Sequence, residues 1–181
     1  TTLVQTVNQH GTSQPNQGIE SPAVNAVFQT STVSVSGFAA DLADQVGTGV
    51  DAVEIFADNV HLGQATYGSY HAGAASLIAA GQLPARFLNV GFAKTLSLPP
   101  GRYSIVAWAR SIVTGTYNSA TVFPIDVNGQ PTVSITAPAN GAVIQAGQTL
   151  SVTASAADPD PGDGINRVEY YYNGGGYLGQ A

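Results

Sequence analysis

Apolar residues recur at every second position in several short stretches of this chain, and that period points to strands. The alternation is clearest in "TVSVSG" at 32–37 and "YSIVAWAR" at 103–110, so each presents one face to a core. Further strands are predicted at 24–28, 52–57, 63–67, 93–98 and 120–126. Turn chemistry separates them: Asn59 with Val60 forms one turn, and "PPG" at 99–101 forms another. One segment departs from the period. "SYHAGAASLIAAGQLPARFLNV" at 69–90 is a long insertion, and "AGAASLIAAG" within it suits a short helix that needs tertiary support. About seven short strands in roughly 100 residues imply an all-β antiparallel sandwich.

The same text then returns. "SPAVNAV" at 21–27 recurs as "APANGAV" at 137–143, and "TVSVSGFAAD" at 32–41 as "TLSVTASAAD" at 149–158. "VEIFADNVHLGQA" at 53–65 recurs as "VEYYYNGGGYLGQA" at 168–181, with one inserted residue. Three blocks in one order at nearly constant spacing indicate a tandem repeat. The expected organisation is a leader at 1–17, a sandwich at 18–127 and the first half of a second sandwich at 131–181. "VNGQP" at 127–131 is the short, stiffened linker. The first copy continues through several strands beyond its "LGQA" and the second does not, so the second sandwich is expected to be incomplete. Its exposed face and unpaired edge then call for a continuation of the chain or a neighbouring subunit. In the leader, Leu3 and Val7 share a strand face and Val4 takes the other. It is a terminal segment or first strand of its own domain, or a strand donated to a neighbouring subunit's open edge.

Tyr103 directly follows a Pro-Gly turn and opens an alternating strand, the placement of a tyrosine corner; the alternative is a half-exposed strand residue. Trp108 on that strand is expected to fill core, the alternative being an aromatic sugar platform. With these motifs in view, both copies resemble bacterial immunoglobulin-like domains of secreted and cell-surface proteins. The second is the closer, through "PTVSITAPANGAVIQAGQTLSVTASAADPD" and "INRVEYYYNG". The resemblance implies tandem Ig-like β-sandwiches in spacer or adhesive architecture.

Composition narrows function by exclusion. Charged residues are 9% and the net charge is −6, with five basic residues, so no basic stripe exists to meet nucleic acid. There is no apolar run long enough to span a bilayer as a helix. Cysteine is absent, which removes disulfides, thiolate metal sites and Cys nucleophiles. Low charge without Cys fits an extracellular, secreted or cell-surface setting.

Asp158, Asp160 and Asp163 offer closely spaced oxygen ligands, as calcium requires. The EF-hand pattern fails, because counting from Asp158 places Asp163 where Gly is needed. A Pro-Gly turn joining two strands is the leading reading and calcium the second; no other cofactor is expected. His10, His61 and His71 lack paired metal spacing and show no evident carboxylate partner. No nucleophile elbow, zinc-protease motif or phosphate loop occurs, so no enzyme is expected. Two functions remain. One is a structural module of a stalk, surface layer or filament, with neighbouring Ig-like domains or identical subunits as partners. The other is a carbohydrate- or receptor-binding module, motivated by the insertion and by Tyr67, Tyr70 and Tyr117, with cell-surface glycans as ligands.

Overall fold

The computed structural model describes residues 13–173 and 175–181, excepting the side chains of 118–122. Two compact units follow one another, Thr1–Val127 and Asn128–Ala181. In the first, β1 (Asn16–Ser21), β3 (Thr32–Ala40), β6 (Thr66–Ser69) and β7 (Gly91–Ser97) form a sheet of order β1-β3-β7-β6. The opposing sheet holds β2 (Ala26–Phe28), β4 (Val50–Ala57), β5 (Val60–Gln64), β8 (Gly101–Ser111) and β9 (Tyr117–Val127), ordered β2-β9-β8-β4-β5. All pairs are antiparallel except β2 with β9. Inward residues of both sheets share one core, among them Val33, Val35, Phe92, Val53, Ile55 and Ile105. The sandwich expected from period-two alternation is thus present.

Three details differ from the sequence reading. The unit gains a strand, β1, which begins in the last two residues taken as leader; Gln17 is buried there, and its side-chain amide donates to Ala107 O at 2.9 Å. β1 lies so close to β3 that a Cβ on Gly37 would sit 1.9 Å from Gly18 O, a contact only glycine avoids. The predicted strand at 63–67 is two strands, because the chain crosses between sheets at buried Ala65, whose N–H donates to Val53 O. The turn before it is Asp58–Asn59, both at positive φ (45° and 69°), and Val60 already begins β5. The donor-strand reading of Leu3, Val4 and Val7 falls outside the described residues.

The insertion has a packing role. Its helix α1 (Ala72–Ala79) and a single 3-10 turn at Ala85–Phe87 lie over the far face of β3. Phe38 and Ala40 there join Ala74, Leu83, Phe87 and Val90 in a second core cluster. β3 is therefore buried on both faces toward its end. His71 caps α1, its Nδ1 accepting from Ala74 N at 3.1 Å while Nε2 meets Glu20 at 3.0 Å. No helix among the described residues is long and apolar enough to cross a membrane.

The second unit repeats two strand pairings of the first. β10 (Thr132–Ala137) pairs with β11 (Thr153–Ala157) as β1 does with β3, each with an irregularity near the end, between Ile19 and Ser21 or Ile135 and Ala137. β12 (Glu169–Tyr172) pairs with β13 (Gly176–Gln180) as β4 does with β5, again with a shift at the same place. Among the described residues these remain two separate two-stranded sheets, without counterparts of β7 or β8. None of the described residues in 131–181 is buried.

Two side chains anchor the first unit. Asp41, 1% exposed, accepts from the Ser13 hydroxyl, from Ser111 Oγ at 2.7 Å and from Ala43 N at 3.0 Å. It ties the end of β3 to the end of β8. Replacing it with Ala strands those buried donors, so Asp41→Ala is expected to cost about 3 kcal/mol in denaturant melts. Tyr103 donates to Pro99 O at 2.9 Å, the bond a tyrosine corner requires, with its ring 3.5–3.6 Å from the Cβ position of Gly101. The bond is solvent-exposed, so Tyr103→Phe should cost only about 0.5–1 kcal/mol; an unchanged melting temperature would assign it no energetic role.

Candidate functional site

Strand parity selects which side chains the five-stranded sheet turns outward. On β8 the inward set is Tyr103, Ile105, Ala107 and Ala109, leaving Arg102, Ser104, Val106, Trp108 and Arg110 on the other face. Trp108 is 37% exposed, so it does not fill the core as expected. It shares the parity of Ser104 and Arg110, a signal the sequence already carried. Trp108 stands opposite Glu54 of β4, and Arg110 stands opposite Tyr117 of β9. Glu54, Phe56, Trp108 and Tyr117 together line a shallow recess of about 170 Å³.

Glu54 is the centre of this face. Its Oε2 meets His61 Nε2 at 2.7 Å, and its Oε1 accepts from the Tyr117 hydroxyl at 3.3 Å. Burial, and after it the neighbouring Glu54 carboxylate, raise the Tyr117 hydroxyl above the usual tyrosine range. The His61 ring lies against Phe56 with centroids 4.9 Å apart. Arg110 sits 3.6 Å from Asp51. Both His61 and His71 thus have glutamate partners that spacing along the chain did not reveal, since the strand pairing and insertion bring them together.

The three tyrosines singled out as binding candidates do not form one surface. Tyr117 (41% exposed) begins β9 of one sheet, while Tyr70 (64% exposed) follows β6 of the other. Tyr67 is half-buried against the main core, and its hydroxyl donates to Ala39 O at 2.7 Å. It is a packing residue and not the open binding aromatic that the sequence suggested.

Asp158, Asp160 and Asp163 lie in a hydrogen-bonded turn. Both carboxylate oxygens of Asp160 accept from Gly129 N, at 2.8 and 3.0 Å, and Asp158 Oδ1 accepts from Asp160 N at 3.0 Å. The Asp163 N–H donates to Asp160 O at 3.2 Å, closing the turn. Asp41 makes the same carboxylate bond two residues on, to Ala43 N, at the matching place of the first unit. These carboxylates order a loop. No group of three His, Cys, Asp or Glu that could hold a metal ion occurs among the described residues.

The second unit contains a larger feature. An apolar cleft of about 710 Å³ opens between its two sheets, with Ile135, Leu150, Val152, Val168, Tyr170 and Leu178 in its lining. Ile135 is 66% and Leu150 50% exposed, whereas Ile19 and Val33 at the matching positions of the first unit are 6% and 0% exposed.

Burial pushes the Tyr67 hydroxyl up to about 12. A tyrosine that ionises later in the folded than in the unfolded chain retains its proton between those values. The folded state then binds more protons, and stability falls as pH rises from about 10 toward 12. Tyr67→Phe should remove up to about 2–3 kcal/mol of that alkaline loss. The check is urea melting of both proteins at neutral and alkaline pH; parallel losses would show that Tyr67 contributes nothing to it.

No curated protein matches the chain. Residues 131–181, which hold the two repeated strand pairs and the cleft between them, match the family described as the bacterial Ig domain.

Proposed function

We propose that the chain is a non-catalytic structural module of a bacterial cell-surface protein, working outside the cell in a stalk, surface layer or filament. The observation that carries this reading is the uncovered inner face of the second unit. Its strands repeat pairings that the first unit completes with β7 on β3 and β8 on β4. The edges of β11 and β12 that correspond have no strand on them among the described residues. An apolar side chain of this kind contributes roughly 1.5–3 kcal/mol when buried, and whole domains hold only about 5–15 kcal/mol in net stability. The face is therefore suited to docking β-strands, whether of a continuation of the chain, a neighbouring Ig-like domain or an identical subunit.

The matched family is a non-catalytic one, and bacterial Ig domains are typical of surface proteins, which supports the location. The alternative, a carbohydrate- or receptor-binding module, loses its first motive, because the insertion is engaged in packing over β3.

Sedimentation velocity joined to hydrogen exchange tests the proposal. The chain should self-associate over the micromolar range, with amides of β11 and β12 gaining protection on association. Val152→Asp with Tyr170→Asp should abolish both effects while the first unit melts unchanged. A monomer in which β11 and β12 are protected as strongly as β3 and β4 would defeat the reading.

A further inference from the structure

We propose that the outer face of the five-stranded sheet binds a methylated ammonium group in the recess between Phe56, Trp108 and Tyr117, with Glu54 as countercharge. This goes beyond the structural role and stands on separate observations.

Phe56, Trp108, Tyr117 and Glu54 line the recess, and its exposed lining is apolar. Aromatic faces are negative through their quadrupoles and attract cations, most effectively where water is displaced. Glu54 adds a formal charge with only 19% of its side chain exposed. Its two oxygens are held by an imidazole and a phenol, neither a permanent cation, so His61 and Tyr117 orient the carboxylate. The guanidinium of Arg110 is drawn to Asp51 at 3.6 Å.

The walls decide the class of cation. Sugars need several directional partners, and Glu54's oxygens are already engaged. The remaining surface is ring carbon. A strongly hydrated ammonium or metal ion would lose its water shell without gaining acceptors, whereas an alkylated ammonium surrenders little. Pockets for drug-sized ligands run to roughly 300–1,000 Å³. The volume here, about 170 Å³, suits a headgroup of a few carbon atoms. A net charge of −6 favours approach of a cation as well.

The second unit supplies an internal comparison. At the place of Glu54 it has Glu169, and for the Phe56–His61 ring pair it has Tyr171 against Tyr177, with centroids 5.5 Å apart. There Arg167 lies 2.8 Å from Glu169, so a permanent cation already neutralises that carboxylate. The same hairpin face is therefore not expected to bind.

Trp108 is the chain's one tryptophan, so its fluorescence reports on the site directly. The chain is titrated with tetramethylammonium chloride at constant ionic strength, with sodium chloride and methyl glucoside as comparisons. A saturable millimolar response to tetramethylammonium alone is expected. Glu54→Gln should weaken it at least tenfold, Phe56→Leu should weaken it while retaining an apolar side chain, and Glu169→Gln should leave it unchanged. Melting temperatures of all variants establish that they are folded. A response no different from sodium chloride, a saturable response to methyl glucoside instead, or undiminished affinity in folded Glu54→Gln and Phe56→Leu would each overturn the proposal.

Discussion

Covering the inward faces of β3 and β4 is the constraint on which the rest of this structure depends. In the first unit β7 extends the sheet of β3 and β8 that of β4, the two sheets cover each other's inward faces, and Val33, Val35, Val53 and Ile55 are fully buried. The second unit forms the equivalent strand pairs from similar sequence, and of its matching side chains Leu150 is exposed while Val152, Val168 and Tyr170 are only half-buried. Local pairing and sandwich formation are thus separable. Hairpin chemistry and alternation set the first, while the second needs the partner strands that turn a half-exposed surface into a core. The repeat presents both situations in one chain.

A second constraint follows from the length of β3. Its first residues alternate between exposed and buried, but from Gly37 to Ala40 every position is buried. A strand buried on both faces needs cover on the side away from the main core. The segment 69–90 provides it, with α1 and the Phe87 turn packed on Phe38 and Ala40. What reads in sequence as an interruption of the β pattern is the outer layer of one sheet. Asp41 then closes the end of the same strand, where hydroxyls of Ser13 and Ser111 converge on one buried carboxylate. A carboxylate so enclosed is tolerated because donors surround it.

How much was legible depends on the range of the interaction. Alternation in 32–37 and 103–110 located β3 and β8, and the repeat located the second unit's strand pairs, because those signals are local. β1 was hidden: its buried residues Gln17, Gly18 and Ile19 include an amide and a glycine, whose burial is decided by Ala107 O across the sandwich and by Gly37 on the adjacent strand. The split between β5 and β6 was equally hidden, since nothing in 63–67 says that Gly63 and Tyr67 belong to opposite sheets. Trp108 was a different kind of miss. Its parity with Ser104 and Arg110 placed it outside, and the expectation that a lone tryptophan packs inward overrode that local evidence. The Asp-rich loop was legible as a turn through its Pro-Gly chemistry, while its bond to Gly129 was not.

The division of labour along each strand shows how one strand can serve both architecture and recognition. A side-chain period of two assigns alternate residues to opposite faces, and folding consumes one set. On β4 the inward residues Val53, Ile55 and Ala57 serve the core, so Glu54 and Phe56 can differ without disturbing it. The second unit retains a carboxylate and a cross-strand ring pair on this face but adds Arg167 beside the carboxylate. One basic residue next to the hairpin is enough to change the charge of the face, while the pairing of β12 with β13 is of the same kind as that of β4 with β5. Repeats of this kind can share a scaffold and still carry different surfaces, because the residues that set recognition lie on the parity that folding leaves free.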